Sequence, residues 1–139
     1  MAGGTRRRTR QIRLLIFACC LGAGGCGGVK IQECYVLDMA VLNADNRQVK
    51  AVVVGLRTKP EADKLDLKDL ELVGADGSPA TKGEEPQLMQ IGKETWVTFI
   101  VPQNQLDKGG LSLRVRSSGR TVALPNPIAP KKINDLERR

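Results

Sequence analysis

From residue 34 onward the sequence predicts an all-β fold, a small antiparallel β-sandwich. Three observations predict it: short apolar-patterned segments follow one another, turn signals separate them at close spacing, and no long segment has the helical period of 3.6 residues. The chain has 139 residues, which is enough for one domain with a modest core and too few for two.

The first predicted strands come from their apolar patterns. Apolar residues alternate along CYVLDMAVL (34–42), and the polar turn NADNR follows. The segment VKAVVVGL (49–56) is apolar on both faces, as expected of a central strand. In KLDLKDLELV (64–73) the apolar phase slips near Lys68 and Asp69, which predicts a bulge or tight bend there, or alternatively a helical turn.

Two hairpins are predicted from turn residues. Asp76-Gly77 lies between DLELV and SPAT, and its glycine supplies the positive φ that other residues resist. Gly92-Lys93-Glu94 joins QLMQI (87–91) to TWVTFIV (95–101), which fits a three-residue connection.

The last strands are predicted at 111–115, where leucine and valine alternate with serine and arginine, and at 121–124 after the turn SSGR. Three prolines follow, at 125, 127 and 130, and are predicted to prevent regular ladder pairing. The tail KKINDLERR (131–139) is predicted to be frayed or a short helix.

This strand rhythm, with its strand-DG-strand unit and the later WVTFIVP strand, resembles the small immunoglobulin-like accessory domains of bacterial envelope proteins. The resemblance covers about residues 34 to 124, without the Cys-Trp-Cys signature of antibody domains. It implies an immunoglobulin-like β-sandwich that acts as an interaction or accessory module.

The first 26 residues have the parts of a secretory signal peptide. Five arginines and no acid precede eight apolar residues at 14–21, and small residues then lead to Cys26. The uncharged run 14–29 has 16 residues, five of them glycine, whereas a transmembrane helix needs about 20 apolar residues. The segment is therefore predicted to be a signal peptide and not a membrane span.

The sequence Ala23-Gly24-Gly25-Cys26 resembles the lipobox of bacterial lipoproteins, although Ala23 stands where leucine is commonest. The resemblance implies cleavage between Gly25 and Cys26 and a lipid on the Cys26 thiol. The layout is then a signal peptide (1–25), an anchor and tether (26–33), the β-sandwich (34–124) and a Pro-rich exit with a charged tail (125–139). Cys19 is a competing lipid acceptor, with a shorter apolar core before it.

The same resemblance implies a location in the cell envelope, anchored to a membrane by lipid and, in a diderm, at the outer membrane or facing the periplasm. Ala23 and Gly25 also satisfy the small-x-small rule of ordinary signal peptidase. The alternative is therefore a soluble secreted binding protein in which Cys26 and Cys34 form a disulfide. If Cys26 is lipidated instead, Cys34 is either a buried small hydrophobe or a reactive thiol.

Net charge and composition limit the function classes. The formal charge is +7, but removing residues 1–25 takes away five arginines and no acid, which leaves +2, so no nucleic-acid partner is expected. Histidine is absent, and with it the commonest general base and zinc ligand. We therefore predict no enzyme, catalytic residue, metal or cofactor, and interpret Asp63, Asp66 and Asp69 as a solvated face.

Four residues are candidate contacts for an unknown envelope protein or polymer. Trp96 is opposite in phase to Val97 in TWVTFIV, so it is predicted to be half exposed. Arg114, Arg116 and Arg120 form a basic edge suited to anionic polymers, or alternatively a charged strand face that opposes aggregation.

Overall fold

The computed structural model describes residues 28–81 and 83–139. These residues form two β-sheets, which confirms the predicted all-β class. The five-stranded sheet has the order β8-β1-β2-β5-β4 and the three-stranded sheet the order β3-β6-β7. The strands are β1 (Lys30–Leu37), β2 (Ala51–Lys59), β3 (Leu70–Val73), β4 (Gln87–Ile91), β5 (Glu94–Pro102), β6 (Ser112–Val115), β7 (Arg120–Ala123) and β8 (Pro130–Lys131). The α-helices of the described residues are α1 (Gln103–Lys108) and α2 (Ile133–Glu137).

The main core lies between the two sheets. Its centre contains inward-facing residues of β2 and β5 on one side and of β3 and β6 on the other. These residues are Val54, Leu56, Val97, Phe99, Val101, Leu70, Leu72 and Leu113, each 2% exposed or less. The alternation of these side chains with outward-facing ones along each strand is the pattern by which the sequence predicted the strands.

A second apolar cluster covers the opposite face of the five-stranded sheet. Leu37, Val53 and Trp96 pack there against Leu136 of α2. Gly55 lies between them, and a Cβ at this position would be 2.8 Å from Leu37 Cδ1 and 3.4 Å from Trp96 Cε3. Because β2 is buried on both faces, its sequence is apolar on both, and the prediction of a central strand is confirmed.

The C-terminal residues belong to this domain through β8 and α2. Pro130 and Lys131 pair in parallel with Val36 and Leu37 of β1, and the Val36 N–H donates to Ala129 O at 2.9 Å. The prediction that the prolines prevent ladder pairing is therefore wrong at Pro130. A proline on an edge strand needs no N–H on its outer side, so the pairing survives.

The turns agree with the sequence in most places. At the phase slip near Lys68 the chain forms a 3₁₀ helix, Leu67–Asp69, which is the predicted helical alternative. The Lys68 N–H donates to the Asp66 carboxylate at 3.1 Å. Gly77 has φ +83° in the first hairpin. In the second hairpin Ile91 pairs with Glu94, so the connection has two residues and not the predicted three.

Two boundaries differ from the sequence pattern. β1 ends at Leu37, so residues 39–41 of the alternating segment lie in a loop and Met39 is 37% exposed. β1 begins at Lys30, within the range 26–33 that was interpreted as a tether.

Candidate functional site

Cys26, the candidate lipidation site, lies outside the described residues, as does Gly25 on the other side of the predicted cleavage point. The described domain nevertheless begins close to it in sequence. Val29 is 9% exposed and belongs to the main core, and β1 starts one residue later. Three residues therefore separate Cys26 from β1 in the sequence.

Trp96 is not a surface contact, and the prediction of half exposure is wrong. Its side chain is 0% exposed in the second cluster. Its ring centroid lies 6.2 Å from that of Tyr35, and Leu136 of α2 belongs to the same cluster. The sequence pattern identified the correct face of β5 for Trp96, but it did not show that the C-terminal residues cover this face.

The predicted basic edge is largely neutralised by Glu71. Glu71 of β3 lies directly opposite Arg114 of β6, and Arg114 Nη2 is 2.6 Å from Glu71 Oε2. Arg116 Nε is 3.4 Å from the same oxygen, and Arg116 Nη1 also donates to Lys68 O at 2.7 Å. Two of the three arginines thus serve the pairing of the three-stranded sheet.

The Glu71 carboxylate is held in its charged form. Partial burial by itself would raise its pKa, but hydrogen bonds from Arg114 and then Arg116 outweigh burial, and the pKa of Glu71 is lowered. A carboxylate with a lowered pKa is a weak general base. The cluster is therefore suited to holding β3 against β6, and poorly suited to proton transfer.

A cleft of about 420 Å³ opens beside this ion pair at the edge between the two sheets. Leu67 and Phe99 line its apolar part, and Glu84, Glu71 and Arg116 line its polar part. Glu71 and Arg116, which line this cleft, already form an ion pair with each other.

Arg120 differs from the other two arginines of the edge. It is exposed at the start of β7, and no carboxylate among the described residues lies within ion-pair distance of it. A Cβ on Gly28 would lie 3.6 Å from Arg120 Nη1. The structure thus places this arginine beside the N-terminal entry of the domain.

A network of four charged residues joins the N-terminal strand to the C-terminal residue. Arg139 donates to both oxygens of Glu33, at 2.7 and 2.8 Å, and to Glu94 Oε1 at 2.8 Å. Arg57 Nε donates to Glu33 Oε2 at 2.5 Å. Only the Glu33–Arg57 pair is a direct cross-strand neighbour, so no local sequence signal indicated the network.

Glu33 is the most strongly perturbed acid of the network. The bidentate hydrogen bond from Arg139 lowers its pKa, partial burial opposes this, and Arg57 lowers it further, to about 2. Its ordinary value is 4.5. The ionised carboxylate therefore stabilises the fold fully above about pH 4.5, and this contribution is lost as the pH falls toward 2.

Replacing Glu33 by glutamine is expected to lower the free energy of unfolding at pH 7 by about 1–3 kcal/mol. We expect a loss at the low end of this range, because Arg57 and Arg139 are 31% and 41% exposed and solvent screens their charges. Urea unfolding at pH 7 and pH 2.5 would measure the difference from the wild type, which should shrink at the lower pH. Glu137→Gln, an exposed glutamate, is the matched control, and an equal cost of Glu33→Gln at both pH values would contradict the assignment.

Cys34 is a buried thiol on the core side of β1. It is 6% exposed and unpaired among the described residues. Burial raises the pKa of the Cys34 thiol to about 12, so little thiolate forms at neutral pH. The small-hydrophobe interpretation therefore fits Cys34, and the reactive-thiol interpretation does not.

Asp63 is exposed, whereas the other two aspartates of this series make local hydrogen bonds. Asp66 caps the 3₁₀ helix, and Asp69 accepts from the Ser117 N–H and hydroxyl at 2.8 and 2.6 Å. Within the described ranges, His, Cys, Asp and Glu form no group of three that could hold a metal ion.

Neither α1 nor α2, the α-helices of the described residues, has the length and apolar character needed to cross a bilayer. No known protein family, curated protein or solved structure gives a significant match to this chain.

Proposed function

We propose that the protein is a lipid-anchored, non-enzymatic lipoprotein of the cell envelope, in which a small immunoglobulin-like β-sandwich serves as an interaction or accessory module. The observation that carries the proposal is the order of residues 6–26: five arginines, eight apolar residues and then Ala-Gly-Gly-Cys. Two or three acyl chains on Cys26 would hold the protein on a membrane without a transmembrane helix.

The described domain supports this proposal in two ways. The described part of the fold starts at Val29 and Lys30, so a chain cut before Cys26 would keep all the strands and core residues that the structure describes. Glu33 and Glu71 are ion-paired with arginines, and Cys34 is packed in the main core, so these groups contribute to the stability of the domain that would serve as the module.

The soluble alternative requires a disulfide between Cys26 and Cys34, and the geometry of β1 weakens it. Cys34 lies four residues into the strand, about 13 Å from Lys30 at 3.3 Å per residue. A disulfide needs Cα atoms about 4.4–6.8 Å apart. Residues 26–29 would have to double back along the strand, and the bridge would have to reach a sulfur buried in the main core.

Cys26→Ala tests the proposal directly. Wild-type protein in its own cells is expected to partition into detergent, to lack residues 1–25 and to carry the added diacylglyceryl mass. The Cys26→Ala variant should leave the detergent phase and retain its signal peptide. Measurements are Triton X-114 partitioning and intact mass.

Cys19→Ala is the matched control, because it removes the competing acceptor and should leave both readouts unchanged. An unmodified wild-type mass, or loss of partitioning in Cys19→Ala alone, would overturn the assignment of Cys26. An unmodified chain that begins at Cys26 would support the secreted alternative.

A further inference from the structure

The N-terminal entry of the domain lies very close to the proposed anchor. Two peptide units join Cys26 to Gly28, so their Cα atoms are at most about 7 Å apart. Gly28 and Val29 lead directly into the core and β1. A lipid on Cys26 would therefore hold this end of the sandwich against the membrane, without a long flexible tether.

Four exposed cations lie at this end of the domain and form what we call the basic end: Lys30, Lys59, Lys93 and Arg120. Lys30 and Lys59 are direct partners across β1 and β2, and Lys59 and Lys93 line one shallow depression. Arg120 lies beside Gly28. No carboxylate among the described residues is within ion-pair distance of these four.

The pairing of Lys30 with Lys59 does not help the fold. Like charges directly opposite each other on antiparallel strands are destabilising. The stabilising ion pairs nearby are already complete, because Glu33 and Glu94 are held by Arg57 and Arg139. Glu61 lines the same depression as Lys59 and Lys93, and Asp63 follows Glu61 in sequence. These two exposed acids offset part of the charge of the basic end.

The opposite end of the domain carries exposed acids. Asp45 lies in the loop before β2, Asp76 in the hairpin after β3 and Asp107 in α1. Arg47, Lys50 and Lys108 are exposed at the same end, so its charges of opposite sign nearly balance, whereas the four cations of the basic end outnumber the exposed acids near them, Glu61 and Asp63. An anionic surface would therefore attract the basic end more strongly than the opposite end.

We infer that the basic end rests on anionic lipid headgroups of the membrane that carries the Cys26 acyl chains, which fixes the domain with its opposite end pointing away. The inference rests on the proposed function, since the anchor brings this end to the surface. Each cation near an anionic leaflet makes the free energy of membrane binding more favourable. Three or four cations of the basic end would act together, because the anchor keeps the domain at the membrane.

The test uses mature protein purified from its own envelope, with the Cys26 lipid verified by intact mass. It is reconstituted into vesicles of phosphatidylcholine with or without phosphatidylglycerol. A bimane label is placed at Ser118→Cys beside Arg120, or at Asp45→Cys at the opposite end, and quenching by spin-labelled lipid is measured. Cys34 should not take the label, because it is buried and its thiol pKa is about 12.

The label at position 118 is expected to be quenched several-fold more strongly than the label at position 45, and the difference should grow with phosphatidylglycerol. Replacing Lys30, Lys59 and Arg120 by glutamine should abolish the dependence on phosphatidylglycerol. The matched control, glutamine at Arg47, Lys50 and Lys108, removes the same charge from the opposite end and should preserve it.

The two proposals fail in different ways. Protein without acyl groups that does not stay on vesicles would overturn the lipoprotein assignment and the inference with it. Lipidated, vesicle-bound protein whose two labels are quenched equally, or whose two charge variants behave alike, would overturn the orientation alone.

Discussion

Replacing Trp96 by alanine is expected to lower the free energy of unfolding by about 3–5 kcal/mol. The indole is 0% exposed and packs among Leu37, Ile91 and Leu136. Truncation removes its apolar contacts and leaves a cavity at the centre of the second cluster. Since a small domain has about 5–15 kcal/mol of stability in total, the variant should unfold at a much lower urea concentration. Circular dichroism is the suitable probe, because Trp96 is the chain's single tryptophan.

Trp96→Phe tests the packing of an aromatic ring separately from the effect of the indole N–H. The indole Nε1–H has no hydrogen-bond acceptor among the described residues, so phenylalanine loses volume but also removes an unsatisfied donor. We expect it to cost less than half as much as alanine. If Trp96→Ala lowers the free energy of unfolding by no more than about 1 kcal/mol, the indole lies at the surface, as its phase in the strand indicates.

Local patterns predicted the strands and most turns. Alternation along 111–115 and the two-faced apolar run 49–56 correspond to β6 and β2, because burial of a strand depends on neighbours that its own sequence reflects. The glycines at 77 and 92 have positive φ values in turns. The two-sheet core therefore follows from the sequence with little help from long-range information.

The second face of the five-stranded sheet could not be predicted in the same way. Its cover comes from Ile133 and Leu136 of α2, and the Arg139–Glu33 pair joins residues 106 apart in sequence. One signal was present: TWVTFIV has Trp96 and Ile100 in one phase and Val97 and Phe99 in the other. A strand that is apolar in both phases is buried on both faces, the same argument that identified β2 as central.

The sequence pattern predicted only part of the candidate site. The role of Glu71 depends on the register of β3 against β6, and a sequence pattern does not fix which acid faces which arginine. Arg120 and Lys30 lie 90 residues apart, and only the packing of the two sheets brings them to the same end. The charge of this end is therefore a property of the fold and not of any segment.

Replacing Leu136 by alanine is expected to cost about 2–5 kcal/mol. Leu136 is 2% exposed on α2, a helix of five residues that is too short to be stable without tertiary packing. Its loss should loosen the cover over Trp96 before the whole domain unfolds. The emission maximum of Trp96 should shift to longer wavelength at low urea, and the unfolding midpoint should fall.

Leu88→Ala is the matched control, because this leucine is 46% exposed on β4 and its truncation should change stability by no more than about 0.5 kcal/mol. Equal effects of the two substitutions would mean that α2 contributes no more than a surface residue. A large effect of Leu136→Ala alone would mean that the C-terminal residues are part of the fold. The acid dependence through Glu33 and the burial of Trp96 would then have one cause, the docking of α2 and Arg139 on the five-stranded sheet.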